Sequence, residues 1–456
     1  MNRREFLGAG AALGSIGLAG CAVPIGRRGS YAGQVIAAKD FDTATYWIDV
    51  LLQQFRDSML PPPRTAYCLS GPTIAGFVAA NAVTGTYSDN FGLGPAPQGA
   101  DPEVAYGTAF ATMASECLLT PMTFQRLAFM ARFPDGQAKS IGAEWGRKVG
   151  LHFVKMRTFD KSGSAKLPYY FHNWPRRGDI LQWLPNGEHY VAHPGPAFDD
   201  YARGLYPGEG KITPWSIKAA KDYQAPEFYD PRSPEFAEEF HLVRTLGGGD
   251  SKIRTDDQTE IAIFWEDGPW GATPPGHMAQ IAMLLFAQRG FSFLEKARGY
   301  AMLGMGQCDA AIVAWHNKYT FDILRPETAI RLRARQFNNP DPRMVLEPKW
   351  ETVINTPNFP SYTSGHSAFG SAATRTLALL LGTDSVSFSH QSPDQVIWPE
   401  LRGKTRHFTS LSQVAEENGM SRIYGGVHWL RDHQESTKLG YALAENINAK
   451  FFTARV

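Results

Sequence analysis

The chain has 456 residues, with 45 Lys and Arg against 44 Asp and Glu, a formal net charge of +1. A balance this close to zero argues against a nucleic-acid binder or a general affinity for anionic membranes, so any cationic site must be local. Length and a 43% hydrophobic content allow sizeable buried cores.

The N-terminus does not read as part of the fold. Asn2-Arg3-Arg4-Glu5-Phe6-Leu7 resembles a twin-arginine export signal, and a Gly- and Ala-rich apolar stretch follows it. Leu18-Ala19-Gly20-Cys21 then resembles the bacterial lipoprotein box, whose cysteine is lipidated and becomes the new N-terminus. Residues 1–21 are expected to be a signal that takes the chain to the periplasm or cell envelope. Two outcomes stay open: a lipid anchor on Cys21, or cleavage elsewhere in the signal. Beyond it no apolar run approaches the ~18 to 20 residues a membrane span needs. Without Cys21, three cysteines remain, Cys68, Cys117 and Cys308, with no metal-ligand spacing. Cys117 and Cys308 fall on apolar helical faces and read as core thiols.

Hydrophobic periodicity predicts helices over about 38–58, 71–84, 102–132 and 138–158. From about 160 to 232 the chain becomes rich in Pro, Gly, Tyr and Trp with little periodicity, which reads as a long structured excursion. Ser233-Pro234-Glu235 looks like an N-cap with proline at the first helical position. Gly247-Gly248-Gly249 is the clearest hinge-like break, and Thr255 with Gln258 forms a capping box. After Ser292, the residues Leu294, Ala297, Ala301, Met305, Cys308, Ile312 and Trp315 form one stripe of a long helix leading into Lys318. Ser364 can cap a helix through Ala368, Ala372 and Leu377 that Gly382 stops. Leu439, Leu443, Ile447 and Phe451 repeat every four residues. No strand-rich block stands out. The expectation is a mainly α protein: an N-terminal helical region with its wrapping segment over 31–246, and a C-terminal helical bundle over 250–456.

Three separated stretches carry the chemistry. In Ser421-Arg422 to His428 and Asp432, the histidine and carboxylate are four residues apart, which predicts one helix face. The carboxylate would accept from one ring nitrogen and leave the other free as nucleophile or ligand. In Ser361-Tyr362-Thr363-Ser364-Gly365-His366 a loop becomes a helix, whose outward amides favour an anion. Gly365 would let that anion approach, and His366 would stand beside it for acid–base work. In Lys318 to Arg325-Pro326, the two cations are seven apart, two turns on one face if helical, with Pro326 ending the helix. Arginine offers a bidentate grip on oxyanion oxygens and lysine a point charge. Singly, each stretch reads equally well as a salt-bridged helix start, a plain N-cap or a solvated basic face. Together they place three cations with both histidines. Three unit charges about 6 Å apart repel by roughly 3 kcal/mol per pair at an effective dielectric near 20, so such a cluster calls for an anion. The same cations should keep His428 neutral.

In this order and spacing the three stretches resemble the signature shared by vanadium-dependent haloperoxidases and type 2 phosphatidic acid phosphatases. Upstream, Arg254 to Glu260 and Pro274-Pro275-Gly276-His277 are similar to bacterial members of the haloperoxidase branch. The resemblance covers roughly residues 250–450 and implies the helical bundles of the vanadium haloperoxidase and acid phosphatase type. It implies a vanadate cofactor, with His428 bonded to vanadium and oriented by Asp432. Lys318, Arg325 and Arg422 would neutralise the vanadate oxygens, with Ser364 and the Gly365 amide adding hydrogen bonds. His366 would be the acid–base residue, and Lys318 would polarise bound peroxide. Hydrogen peroxide, a halide and a small organic acceptor would be the partners. Thr363 replaces the proline usual before Ser-Gly-His, which bears on loop rigidity. Trp315 and Phe359 resemble the fungal chloroperoxidase arrangement and read equally as core packing.

Two other readings use the same pocket. A phosphatase would bind phosphate there, form a phosphohistidine at His428 and protonate the leaving group from His366. A non-catalytic oxyanion-binding lipoprotein would need neither His366 nor the His428–Asp432 pair. The missing membrane spans and the upstream segment favour the haloperoxidase.

Overall fold

The structure is a computed structural model that describes residues 41–160, 179–184, 204–268 and 271–455. The export-signal and Cys21 readings, and much of the expected wrapping segment, lie outside the described residues. Asp42–Val456 forms one compact unit.

The first helices depart from the sequence expectation where proline acts. Asp42 caps α1 (Thr43–Ser58), its carboxylate accepting the Thr45 amide at 2.7 Å. Helix α2 (Pro62–Thr84) begins at its proline pair rather than near 71, because proline in the first turn gives up no helical hydrogen bond; it also accommodates Pro72 in its interior. The expected single helix over 102–132 is two. α3 (Pro102–Leu118) ends on Leu119 in the left-handed region, φ 54°, and α4 (Thr123–Met130) follows Pro121. α5 (Gln137–Thr158) packs on α2 and α3. By length and composition α2 could cross a membrane, contrary to the expectation of no such segment after the signal. In this fold 89% of its most apolar window is buried.

The second half is built around one central helix. α6 (Pro234–Leu246) is capped by Ser233, and α7 (Asp256–Phe264) by both halves of the Thr255–Gln258 box. α8 (Thr273–Gln288) precedes α9 (Phe293–Phe321), which opens on a Ser292–Glu295 capping box and stops at Asp322, φ 53°. The sequence stripe understates α9, which is buried on every side from Gly299 to Trp315. It packs on α2 and also on α10 (Gly365–Leu381) and α12 (Leu430–Lys450). Between these lie α11 (Leu411–Tyr424) and a small antiparallel hairpin, β1 (Ser385–His390) with β2 (Arg406–Ser410), Phe388 opposite Phe408. The hairpin departs from the expectation of no strand-rich block, although Ser385–His390 alternates polar and apolar residues and buries every second one.

The Gly247–Gly249 stretch is a packed joint. A Cβ on Gly247 would lie 2.5 Å from the Cα of Gly426, itself at φ +81°, so α6 rests directly on the turn before His428. Nearby, Trp429 Nε1 donates to Leu324 O at 3.0 Å within a buried cluster that includes Phe236, Phe240 and Tyr362. Cys68, Cys117 and Cys308 are buried thiols in no disulfide.

Helices α10 and α12, which carry two of the three motif stretches, touch through Gly440. A Cβ there would stand 2.0 Å from Ser371 Oγ and 2.8 Å from both Ala368 O and Ala372 N. Backbone atoms cannot step aside as a side chain can. Gly440→Ala is therefore expected to destabilise the fold by roughly 1–3 kcal/mol, measured as a lower urea midpoint at unchanged slope.

Candidate active site

The last turn of α9 delivers Lys318 into the interior. Its ammonium donates to Pro360 O at 3.0 Å and Ser361 O at 2.8 Å, which uses two of its three N–H groups. Past the left-handed Asp322 the chain runs extended to Arg325, the residue before Pro326. Lys318 and Arg325 therefore do not share a helix face, as the spacing suggested. The helix ends three residues after Lys318, and the two side chains converge from different segments.

Arg325 is held by backbone. Its Nε donates to Phe359 O at 2.8 Å and its Nη1 to Val427 O at 2.8 Å. The same Nη1 stands 3.0 Å from His428 Nε2. A guanidinium can only donate, so Nε2 is the accepting nitrogen and Nδ1 carries the proton. Nδ1–H donates to Asp432 Oδ2 at 2.7 Å. His428 is not on the helix with Asp432, as the four-residue spacing implied. It precedes Trp429, the N-cap of α12, while Asp432 lies in the first turn and also accepts the Trp429 amide at 3.0 Å. Ser361 Oγ adds a third hydrogen bond to Asp432 Oδ2.

Arg422 ends α11 and donates from Nη1 to Trp265 O at 3.1 Å; its own carbonyl accepts the Val427 amide at 3.0 Å across the Gly425-Gly426 bend. Arg325 thus meets the His428 ring directly, and the Arg422 charge acts on the same ring electrostatically. Ser364 caps α10 through the Ser367 amide at 3.4 Å, and Gly365 is the first helical residue. Gly365 is also needed for packing, since a Cβ there would meet Trp315 Cζ3 at 3.2 Å. His366 donates from Nε2 to Glu266 O at 3.1 Å.

Electrostatics follow from burial. Lys318 and Arg325 are fully buried. Burial, then the neighbouring Arg325, pushes the Lys318 ammonium well below its ordinary value. Arg325 falls to about 9 and Arg422 to about 10, both chiefly through burial. Burial also lowers His428 and His366 far below the usual imidazole range, with the surrounding cations adding to it. The expectation that His428 is neutral holds, but burial is the leading cause and the cations come second. Asp432 is raised to about 6 by burial, opposed first by its bond from Ser361.

Arg325 Nη2 and Arg422 Nε are buried and donate to no protein atom. Buried charged donors left unpaired are costly. With the third Lys318 N–H, the α10 N-terminus and the Nε2 lone pair of His428, which Arg325 Nη1 occupies here and would have to yield, they fit a multiply charged oxyanion such as vanadate.

Trp315 and Phe359 pack together with centroids 5.0 Å apart. Lys318 Nζ and Arg325 Cζ lie 5.0 and 4.8 Å from the Phe359 ring, so both aromatics are core packing and a cation–π wall at once. The upstream segment also has a place. Trp265 and Glu266 supply the carbonyls for Arg422 and His366, and His277 stacks on Trp265 at 4.5 Å while pairing with Asp267 at 2.7 Å. Sequence reasoning missed Ser361 and these carbonyls. Ser361 stood inside the second stretch, but spacing does not tell which way a hydroxyl points.

Residues 298–454 match the model of the VCPO second helical-bundle domain. The chain is 26% identical over 252 residues to a vanadium chloroperoxidase from Curvularia inaequalis, a match covering 43% of this chain and 40% of that relative. The chain thus spans under half the length of the curated relative. The fold of the vanadium haloperoxidases extends further. The crystal structure of the first bacterial vanadium-dependent iodoperoxidase aligns with a TM-score of 0.72 at 23% identity, over 91% of this chain and 97% of that one. An apo bacterial vanadium-dependent chloroperoxidase aligns with a TM-score of 0.64 at 16% identity, over 86% and 94%.

Proposed function

We propose that this chain is a vanadium-dependent haloperoxidase, using hydrogen peroxide to oxidise a halide that then halogenates a small organic acceptor. The observation that carries the reading is the buried set of Lys318, Arg325 and Arg422 around a neutral His428, with Arg325 Nη2 and Arg422 Nε left without protein partners. The similarity to a vanadium chloroperoxidase supports it.

Vanadate, when bound, supplies Lewis acidity that activates hydrogen peroxide toward halide. The rest of the chemistry belongs to the protein. Arg325 and Arg422 hold anionic oxygens through their unpartnered N–H groups. The third N–H of Lys318 places a positive charge where negative charge develops, in a setting too dry to screen it. Ser364 and the Gly365 amide add neutral donors at the α10 N-terminus. Asp432, accepting from Nδ1–H, keeps Nε2 of His428 the unprotonated nitrogen, which serves as a ligand once Arg325 Nη1 turns from it to the anion. His366, its Nε2–H tied to Glu266 O, offers the other ring nitrogen to take the proton that peroxide gives up on binding. One turnover consumes a halide, a peroxide and a proton and releases hypohalous acid and water.

The test is direct. Protein loaded with vanadate is given hydrogen peroxide, bromide or iodide, and a phenol-dye acceptor. Halogenation that requires vanadate is expected. Hydrolysis of a phosphate ester without vanadate, and no halogenation with it, would contradict the proposal.

A further inference from the structure

Ser361 is outside the residues assigned to hold the oxyanion, yet three parts of the site meet on it. Its amide donates to Ile323 O at 2.8 Å, and its carbonyl accepts Lys318 Nζ at 2.8 Å. Its hydroxyl donates to Asp432 Oδ2, the same oxygen that receives His428 Nδ1–H at 2.7 Å and the Trp429 amide at 3.0 Å. Ser361 Oγ also lies 3.5 Å from His428 Nδ1, and the residue is 0% exposed, so solvent has no ready access to replace its bond.

We propose that Ser361 is a positioning residue that links Lys318 to the His428–Asp432 pair and fixes His428 in the Nδ1–H form, with Nε2 directed to the oxyanion. The link to the oxyanion rests on the function proposed above.

The argument starts from the freedom of a carboxylate. The terminal torsion of aspartate is broad and nearly two-fold, so either oxygen can face a partner. Here the choice is made: Oδ2 takes three donors, while Oδ1 takes none and is buried. The Trp429 amide and the Ser361 hydroxyl approach Oδ2 from two segments, the N-terminus of α12 and the loop before α10. Two anchors from different segments fix the carboxylate plane, which one anchor cannot. The carboxylate then fixes the ring. Without the hydroxyl, the Trp429 amide alone opposes rotation of the carboxylate, and of the two contacts that select Nδ1 for the proton only the Arg325 Nη1 donation to Nε2 is left firmly placed. The Lys318 contact is to the Ser361 main chain, so Ser361→Ala keeps it. The substitution therefore isolates the hydroxyl.

Two measurements on Ser361→Ala test this. In ligand-free protein labelled with 15N-histidine, with the His428 signals assigned by their loss in His428→Ala, the wild type is expected to show one Nδ1–H tautomer. The variant is expected to show a tautomer mixture. Orthovanadate affinity, measured by calorimetry, is expected to fall about 10- to 100-fold, the usual effect of losing a residue that orients a ligand. An unchanged tautomer with affinity within about twofold of wild type would overturn the proposal. If the wild type binds no vanadate, the proposed function fails, and the tautomer measurement still decides the role of Ser361. Should Ser361→Ala not fold, Ser361→Cys retains the volume with a weaker donor. It is expected to show a partial tautomer shift, and a wild-type signature there would count against the idea.

Discussion

His428→Ala is expected to abolish vanadate-dependent halide oxidation while leaving the protein folded. Nε2 of His428 is the neutral nitrogen lone pair that the site presents among its cations, held there by Asp432 on one side and Arg325 on the other. Losing it removes the ligand but leaves the charges. Lewis-acid activation supplies several kcal/mol, and each 1.36 kcal/mol is about a factor of ten, so the rate should drop on the order of 10^3-fold or more. Asp432 keeps its bonds from Ser361 and the Trp429 amide, and Arg325 Nη1 keeps Val427 O, so the structural cost should stay near roughly 1–3 kcal/mol for each of the two buried hydrogen bonds lost. Steady-state halogenation and a denaturation curve on the same preparation separate the two effects. A variant that unfolds, or that still turns over, is inconsistent with the assigned role.

Arg325→Ala is expected to damage both fold and site. Its guanidinium is fully buried, donates to the carbonyls of Phe359 and Val427, and lies against the Phe359 ring. Truncation strands three buried acceptors, Phe359 O, Val427 O and His428 Nε2, and opens a cavity where these segments meet. Removing one partner from a buried charged network typically costs about 3–5 kcal/mol, a large part of a domain's total of roughly 5–15 kcal/mol. Vanadate affinity should fall as well, because Nη2 is one of the unpartnered donors. Arg325→Lys should rescue only in part, since an ammonium cannot serve two carbonyls and an anion in the planar fork that arginine provides. Chemical denaturation and vanadate titration of both variants check these outcomes. Wild-type stability in Arg325→Ala would contradict the burial argument.

The helical character of this chain was legible because caps and periodicity are local. Ser233, Thr255, Ser292 and Ser364 each start a helix where the sequence indicates one, and Gly382 stops one. What was misread depended on context. The start of α2 lies at Pro62 rather than near 71, where its packing against neighbouring helices and not its own periodicity sets the boundary, and the single alternating segment Ser385–His390 pairs with Arg406–Ser410. At the site, the residue types were right and two geometries were wrong. Seven-residue spacing suggested a helix between Lys318 and Arg325, but Asp322 takes a left-handed conformation that ends it. Four-residue spacing put His428 on a helix that begins only after Trp429. Spacing reports which residues recur together, whereas convergence here comes from backbone carbonyls at Phe359, Pro360, Ser361 and Val427 that position the cations. No side-chain pattern shows those acceptors in advance.

Calorimetric titration of the ligand-free protein with orthovanadate at neutral pH puts the convergent, buried cation–histidine cluster to the most direct test. One saturable site per chain is predicted, competed by inorganic phosphate and lost in His428→Ala. Absence of saturable binding, or binding that persists unchanged without the His428 imidazole, would contradict it.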